Sequence, residues 1–465
     1  MRPVLIILAC LGCTTPIVDT PPNIVLIYVD DLGWRDLGVQ GSRYYETPNV
    51  DLLAAQGMRF TDAYANAPNC APSRAALLSG QYAPRTGVYT VGAADRGRTE
   101  LRALVPVANR TELSLDVVTI SEMLAEAGYA TGHAGKWHLG GEGFLPTDQG
   151  FEWSLAGDEQ GSPPGYFYPY KRDRRFLRGL EEGGENEYLA DRLVDESISF
   201  IKREAESPFF LYLSHYSVHT PIQGKPELAA RYVDKAVADG QDNPTYAAMV
   251  QSVDEGVGRI INALDELGLA ENTILIFYSD NGGFGPATSM VPLRGSKGML
   301  YEGGIRVPLI VRWPGHVEPG SVTSNPVIGT DFYTTLAEIA GAELASDHIL
   351  DGSSFVPVLT GTGEVEPRDL IWHFPAYLEA DRSVSGPWRT TPASALRRGR
   401  YKLIHFFEDG RSELYDLTED VSESNDLSLK MPEITAELQA GLTTWWKETQ
   451  AFVPSERNPS YRPSG

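Results

Sequence analysis

The sequence predicts an α/β fold: a large mixed, mainly parallel sheet flanked by helices, with a small C-terminal antiparallel-sheet subdomain. Three observations predict it. Short runs that are apolar throughout, as expected of strands covered on both faces, recur along the first 360 residues. Stretches with apolar residues at helical spacing alternate with them, the order that a parallel sheet with crossover helices requires. After about residue 360 the pattern changes to closely spaced strands and one last helix.

The elements follow in order. "NIVLIYVDD" (23–31) is a β-branched run and reads as a doubly buried strand. "TISEMLAEAGYATGHAGKWHLG" gives a helix over about 120–127, stopped at Gly128, and then a short strand. "SPFFLYLSHYSVHTP" is a second buried strand running into a loop with two histidines. "TYAAMVQSVDEGVGRIINALDELGL" is an amphipathic helix, "NTILIFYSDNGG" a third buried strand, and "TDFYTTLAEIAG" another helix. "RRFLRGLEEGGENEY" is charged and Gly-rich and reads as a surface insertion. Toward the end, "RRGRYKLIHFFEDGRSELYDL" predicts two antiparallel strands around Asp409-Gly410, and a helix is expected over about 432–449. The expected organisation is a leader and linker over 1–22, a catalytic domain over 23–360 and a C-terminal subdomain over 361–465, joined at "GTGEVEPRD".

The formal charge is −23, from 39 basic against 62 acidic residues. Such a field repels polyanions, so no nucleic acid is expected as a partner. A small anion remains acceptable, because a local cation cluster or a bound metal reverses the sign inside a cleft. The start, "MRPVLIILACLGC", has one basic residue and a short apolar run, suited to a secretion signal but too short to span a bilayer. Its Ile7-Leu8-Ala9-Cys10 resembles a bacterial lipobox, so a membrane link is expected only through a lipid on Cys10. The expected location is outside the cytoplasm of a bacterium: periplasmic, outer-membrane lipoprotein, or secreted.

Three groups of residues carry chemistry. Asp30-Asp31 and Asp280-Asn281 each follow a buried strand directly. Ligand sites in parallel sheets form beyond the carboxyl ends of strands, and adjacent carboxylates repel unless a cation compensates. Either pair alone fits a solvated turn. Two in matching positions point to one hard cation, Ca²⁺ or Mg²⁺. Cys70 heads "CAPSRAALLSG", and outside the leader the chain has no other cysteine. Pro72 suits the first turn of a helix, which places the thiol at a helix N-terminus with Arg74 one turn along. There it reads either as a thiolate nucleophile, as in cysteine hydrolases, or as a half-buried structural cysteine. The third group is cationic: Lys136 and His138 in "GKWHLG", His215 and His219 in "SHYSVHTP", and Lys297 in "LRGSKGMLYEGGIRVP". With Arg74 it would form a pocket for a tetrahedral oxyanion. Neither G-x-S-x-G nor a P-loop is present.

"CAPSR" resembles the C-x-[PA]-[ST]-R signature of the type I, formylglycine-dependent sulfatases, arylsulfatase-like members of the alkaline phosphatase superfamily. "VDDLGW", "ETPNVDLLAAQGMRFTDAYA", "GKWHLG", "HTP", "SDNGG" and "LRGSKGMLYEGGIRVP" match in the family's order, over roughly residues 23–420. The resemblance implies an alkaline phosphatase-like fold and a sulfuric ester hydrolase. It implies that Cys70 is oxidised to Cα-formylglycine (3-oxoalanine) by a formylglycine-generating maturation enzyme. It implies Asp30, Asp31, Asp280, Asn281 and the converted Cys70 as ligands of a divalent cation, Ca²⁺ in preference to Mg²⁺. By the same similarity Arg74 and Lys136 hold the formylglycine hydrate with His138 beside it, and His219 and Lys297 meet the sulfate and its bridging oxygen. His215 matches less firmly and is left out. The implied chemistry is attack by one hydroxyl of the hydrate on sulfur, a covalent sulfo-enzyme, and release of sulfate by the second hydroxyl. One departure stands out: where the family commonly has L-T-G-R, this chain has Leu78-Ser79-Gly80-Gln81.

The expected substrate is a sulfated carbohydrate or an aryl sulfate, within polysaccharide degradation. His373 in "WHFPAY" is taken as a tentative sugar contact, with interdomain packing as the other reading of that stretch. Arg397 and Arg398 are basic enough to touch an anionic sugar, with a solvated position as the favoured reading. The alternatives are a phosphonate or phosphate ester hydrolase of the same fold, and a noncatalytic sulfated-glycan binding protein.

Overall fold

The computed structural model describes residues 21–462, so the expected leader and Cys10 lie outside the described residues. An eight-stranded sheet organises the first part of the chain. Its strands are β1 (Asn23–Val29), β2 (Met58–Phe60), β3 (Ala130–Gly135), β4 (Trp153–Leu155), β5 (Phe209–Ser214), β6 (Thr273–Ser279), β7 (Leu309–Arg312) and β8 (Ser321–Thr323). Their spatial order is β8-β2-β7-β6-β1-β5-β3-β4. The run β6-β1-β5-β3-β4 is parallel throughout. β7 lies antiparallel to both β6 and β2, which makes the sheet mixed.

The alternation of β1 explains why both faces are covered. Val25, Ile27 and Val29 pack into one apolar cluster with Leu193, Val253 and Val257. Ile24, Leu26 and Tyr28 pack into another with Leu77, Leu124 and Leu336. The first face is closed by helices α4 (Leu189–Arg203) and α5 (Pro244–Glu266) together with α1 (Pro48–Gln56). The second is closed by α2 (Cys70–Ser79), α3 (Ile120–Glu126) and α6 (Asp331–Ala340). Each aliphatic side chain buried this way contributes about 1.5–3 kcal/mol. Local chemistry sets the helix starts. Thr119 and Glu122 form a reciprocal capping box at α3, and Asn243 accepts from the backbone N–H groups of Thr245 and Tyr246 at α5.

The C-terminal region forms a four-stranded antiparallel sheet from β9 (Asp369–Phe374), β10 (Ala393–Arg398), β11 (Tyr401–Phe406) and β12 (Ser412–Asp416), with helix α7 (Pro432–Glu448) on it. Its core of Trp372, Leu396, Leu403 and Leu442 is continuous with Tyr64, Leu300 and Ile305 of the first part. A buried charge network crosses the same boundary. The Lys402 ammonium lies 2.8 Å from Glu302 and 2.8 Å from Glu423. Arg306 and Arg397 converge on Asp62 at 2.9 and 2.8 Å. Arg397 is therefore a buried structural cation, and Arg398 pairs with Asp369 and Glu437, so neither is simply solvated. Among the described residues no helix is long and apolar enough to cross a membrane.

Candidate active site

Four neighbouring parallel strands deliver their carboxyl ends to one place. β1 ends at Asp30-Asp31, β6 at Asp280-Asn281, β3 at Lys136, and β5 leads through Ser214 toward His219. The antiparallel β7 starts on that edge and brings the preceding Lys297 loop with it. Gly135 makes the β3 corner possible: it sits at φ +107°, and a Cβ there would lie 1.9 Å from the Ser214 carbonyl oxygen. That close approach lets the Lys136 N–H donate to Ser214 O at 2.7 Å and turns the lysine inward.

Cys70 is the first residue of α2 and is buried, as is the whole helix. Lys297 Nζ lies 3.3 Å from its Sγ and 2.6 Å from Asp31 Oδ1. Lys136 Nζ reaches Asp30 Oδ2 at 2.7 Å. Arg74 donates to Asp280 Oδ2 from Nε and Nη2 at 3.1 and 2.8 Å, and Nη1 donates to Ser214 Oγ and the Lys136 carbonyl. Asn281 Nδ2 donates to Asp31 Oδ1 at 2.9 Å. His219 Nε2 lies 3.7 Å from Asp31 Oδ2, while its Nδ1 bonds the Thr220 carbonyl at 2.8 Å. Asp31 and His138 both adopt left-handed backbone, at φ 64° and 62°, a cost that the surrounding hydrogen bonds hold in place.

The electrostatics follow from burial against pairing. Burial raises the Asp31 carboxyl, but Lys297, His219 and Lys136 overcome it and hold it below the usual carboxylate range. Asp280 is likewise lowered, by Arg74 and Lys136 against burial. Asp30 goes the other way, because burial outweighs Lys136. Lys297 is raised despite burial, by Asp31 foremost, and stays charged. His138 is pushed down by burial and then by Lys136 and Arg74; His219 is lowered by burial and by Lys297.

These residues suit a divalent cation. Asp30 Oδ1 and Asn281 Oδ1 are buried and accept no hydrogen bond, an expensive state for two oxygens on one wall unless a cation takes them up. Asp30, Asp31, Cys70 and His219 each present a donor atom within 4.8 Å of the others. The carboxylate and amide oxygens of Asp30, Asp31, Asp280 and Asn281 are hard donors that match Ca²⁺ or Mg²⁺. Three carboxylates, Asp30, Asp31 and Asp280, face three fixed cations, Arg74, Lys136 and Lys297. A divalent ion added to that balance gives the pocket the positive sign that an anionic ester needs.

A cavity of about 370 Å³ opens onto Cys70, His138, His219 and Lys297. The structure thus brings together Asp30, Asp31, Cys70, Arg74, Lys136, His138, His219, Asp280, Asn281 and Lys297. His373 is elsewhere. It is buried between Ser394 Oγ (2.7 Å) and the Phe452 carbonyl (3.1 Å), stacked edge-on against Tyr89, Phe407 and Trp445, and does not line the cavity. The expected sugar contact is corrected to a packing histidine, its ring held down to about 4 by burial. His215 is buried with both ring nitrogens unpartnered, outside the cavity lining. Gln81 lies just beyond the far end of α2, roughly 15 Å along the helix from Cys70, with its Nε2 donating to the Ile349 carbonyl. Sequence reasoning missed Ser214, Arg96 and Arg389. Ser214 was readable as a small polar residue closing a buried strand, whereas the two arginines sit in segments without pattern.

A cation cradle and fixed positive charges at the carboxyl edge of an α/β sheet, around a buried cysteine at a helix start, define a hydrolase of tetrahedral oxyanion esters. The sulfatase family model matches residues 22–342, and the model described as N-sulphoglucosamine sulphohydrolase, C-terminal, matches residues 296–448. The chain belongs to the sulfatase family and is a sulfuric ester hydrolase. It is 37% identical to a sulfatase of Formosa agariphila, over 88% of this chain and 85% of that one. It is 36% identical to human arylsulfatase A, over 84% of this chain and 76% of that one. Among solved structures, Ps i-CgsB in complex with k-i-k-neocarrahexaose superposes with a TM-score of 0.77 at 31% identity, covering 92% and 93% of the two chains.

Proposed function

We propose that this enzyme removes sulfate from a sulfated carbohydrate through a nucleophile made from Cys70. The observation that carries the reading is the position of Cys70. It is buried at the start of α2, 3.3 Å from the Lys297 ammonium, beside a cation cradle with two unpartnered oxygens. Formylglycine at this position supplies, as its hydrate, one hydroxyl to attack sulfur and a second to expel sulfate, which a thiol or a serine hydroxyl cannot do in turn. Asp30, Asp31, Asp280 and Asn281 would hold Ca²⁺, a Lewis acid for the sulfuryl oxygens and the nucleophile.

The side chains have separable roles. Arg74, locked on Asp280 and Ser214, and Lys136, locked on Asp30, hold residue 70 and oppose negative charge growing on it. Lys297 keeps its proton and points an ammonium at the sulfuryl oxygens and the departing oxygen. Protonated on both nitrogens, His219 donates Nδ1–H to the Thr220 carbonyl and presents Nε2–H to the cavity, where with Lys297 it serves the departing oxygen as acid, and burial beside Lys297 makes that proton easier to give up. His138, neutral and with Nδ1 unpartnered, takes the proton of the second hydroxyl. Maturation by a formylglycine-generating enzyme, export, and lipidation at Cys10 belong to the same reading.

The test is release of inorganic sulfate from aryl sulfate and from a panel of sulfated saccharides, with aryl phosphate as the control ester. Sulfate release by the natively matured enzyme, lost in Cys70→Ser, supports the reading; faster phosphate than sulfate release overturns it.

A further inference from the structure

The cavity over Cys70 has an outer wall that the chemistry above leaves unused. One part is the loop bearing Val91 and Arg96. The other is a small hairpin from the C-terminal region, Leu378–Glu379 paired with Trp388–Thr390, which contributes Leu378 and Arg389. The hairpin is pinned on both sides. Trp388 Nε1 donates to the Leu101 carbonyl at 3.2 Å, and the Gly97 N–H donates to Glu379 at 3.0 Å. Arg389 Nη1 donates to the Lys297 carbonyl at 3.2 Å, which ties the wall to the catalytic loop.

The charges on this wall are unbalanced toward the cavity. Arg96 and Arg389 line it, while their ion-pair partners Glu379 (3.1 Å) and Asp381 (3.3 Å) do not. The one carboxylate in the lining, Asp31, is already paired with Lys297. Arg389 is mostly buried, and its Nε and the Asp381 Oδ2 beside it are both without a hydrogen-bond partner, so this pairing leaves the guanidinium under-satisfied. Val91, Phe284 and Leu378 supply apolar surface beside the two guanidinium groups, the mixture a sugar ring needs. All of this sits on a chain of net charge −23.

Resting on the sulfatase reading, we propose that Arg96 and Arg389 form a second anion subsite. It binds a further sulfate or a carboxylate on the saccharide that carries the scissile sulfate, so that the enzyme selects multiply anionic substrates.

Binding to Cys70→Ala protein tests this without turnover. The probes are a hexosamine with one sulfate, the same sugar with two, and a monosulfated disaccharide containing a uronic acid, measured by calorimetry. The second anion is expected to tighten binding, and Arg96→Gln with Arg389→Gln to remove roughly tenfold to hundredfold of affinity for the doubly anionic probe, bringing it to that of the single sulfate. Comparing the disulfate with the uronic acid probe tells which anion is read. Equal losses on all probes would make Arg389 only a prop for Lys297 and overturn the proposal, as would wild-type arginines showing no preference for a second anion. Sulfate release is scored separately on matured enzyme: its absence from every ester defeats the sulfatase reading, while the binding ratio still decides the subsite.

Discussion

Lys402→Met removes the cation that joins the C-terminal antiparallel sheet to Glu302 in the first part of the chain while keeping most of the side chain's volume. Lys402 is fully buried between Glu302 and Glu423, each at 2.8 Å. The variant leaves two carboxylates facing one another without their shared partner. Removing one member of a buried ion pair costs about 3–5 kcal/mol. Spread over a cooperative unit of this size, that lowers Tm by roughly 4 °C. The penalty depends on pH with a definite sign. In the native chain burial holds Glu423 up, at about 7, against Lys402. Glu302, though also raised by burial, is brought down to about 2 by Lys402, Arg306 and Arg397. Without Lys402 the Glu423 carboxyl, already above its unfolded value of 4.5, rises further, and Glu302 rises from about 2 while Arg306 and Arg397 still hold it down, so the folded variant keeps a proton on Glu423 that the unfolded chain releases. Its stability therefore falls as pH rises through that window. Thermal and urea unfolding, followed by tryptophan fluorescence, should show the largest penalty near about pH 8 and a smaller one near about pH 5. A penalty under about 1 kcal/mol at both, the size of a solvated pair, would refute the argument. So would one that grows on acidification.

Further outcomes follow from the site. Lys297→Ala should lower kcat/KM on aryl sulfate by roughly 10²–10³, the scale for losing one fixed charge donor; saturation kinetics showing under about tenfold would remove it from charge stabilisation. Exhaustive chelation should lower both activity and Tm, with Ca²⁺ restoring both; unchanged values would separate Asp30, Asp31, Asp280 and Asn281 from any metal. His373→Phe should lower stability by about 1–3 kcal/mol through its two lost hydrogen bonds, measured by urea unfolding. Its KM for a sulfated saccharide should stay unchanged, and a raised KM on a stable fold would return His373 to the sugar.

The sheet and most of the site were legible because their signals are local. A run such as 24–29, apolar throughout and rich in β-branched residues, reads as a strand covered on both faces, and the residues just past it inherit the ligand edge of a parallel sheet. Asp30, Asp31, Asp280 and Asn281 needed nothing more. Cys70 was placed by Pro72 and the helix-forming residues behind it. Long-range facts were not legible. β7 is a four-residue strand whose antiparallel direction is decided by its neighbours β6 and β2. His373 stands among aromatics that suit a sugar platform and a core equally, and only the fold shows Ser394 and Trp445 closing over it. Arg397 is an unremarkable surface-type residue until Asp62, far earlier in the chain, meets it inside the boundary. Arg96 and Arg389 belong to one wall only because the hairpin at 378–390 folds back over the Lys297 loop.

The most direct measurement is the mass of the peptide containing residue 70 from enzyme matured in its own host, taken alongside sulfate release on the same preparations. An aldehyde in place of the thiol, in a fraction that tracks specific activity from one preparation to the next, is the predicted result. Preparations whose Cys70 remains wholly a thiol yet release sulfate over many turnovers would contradict it.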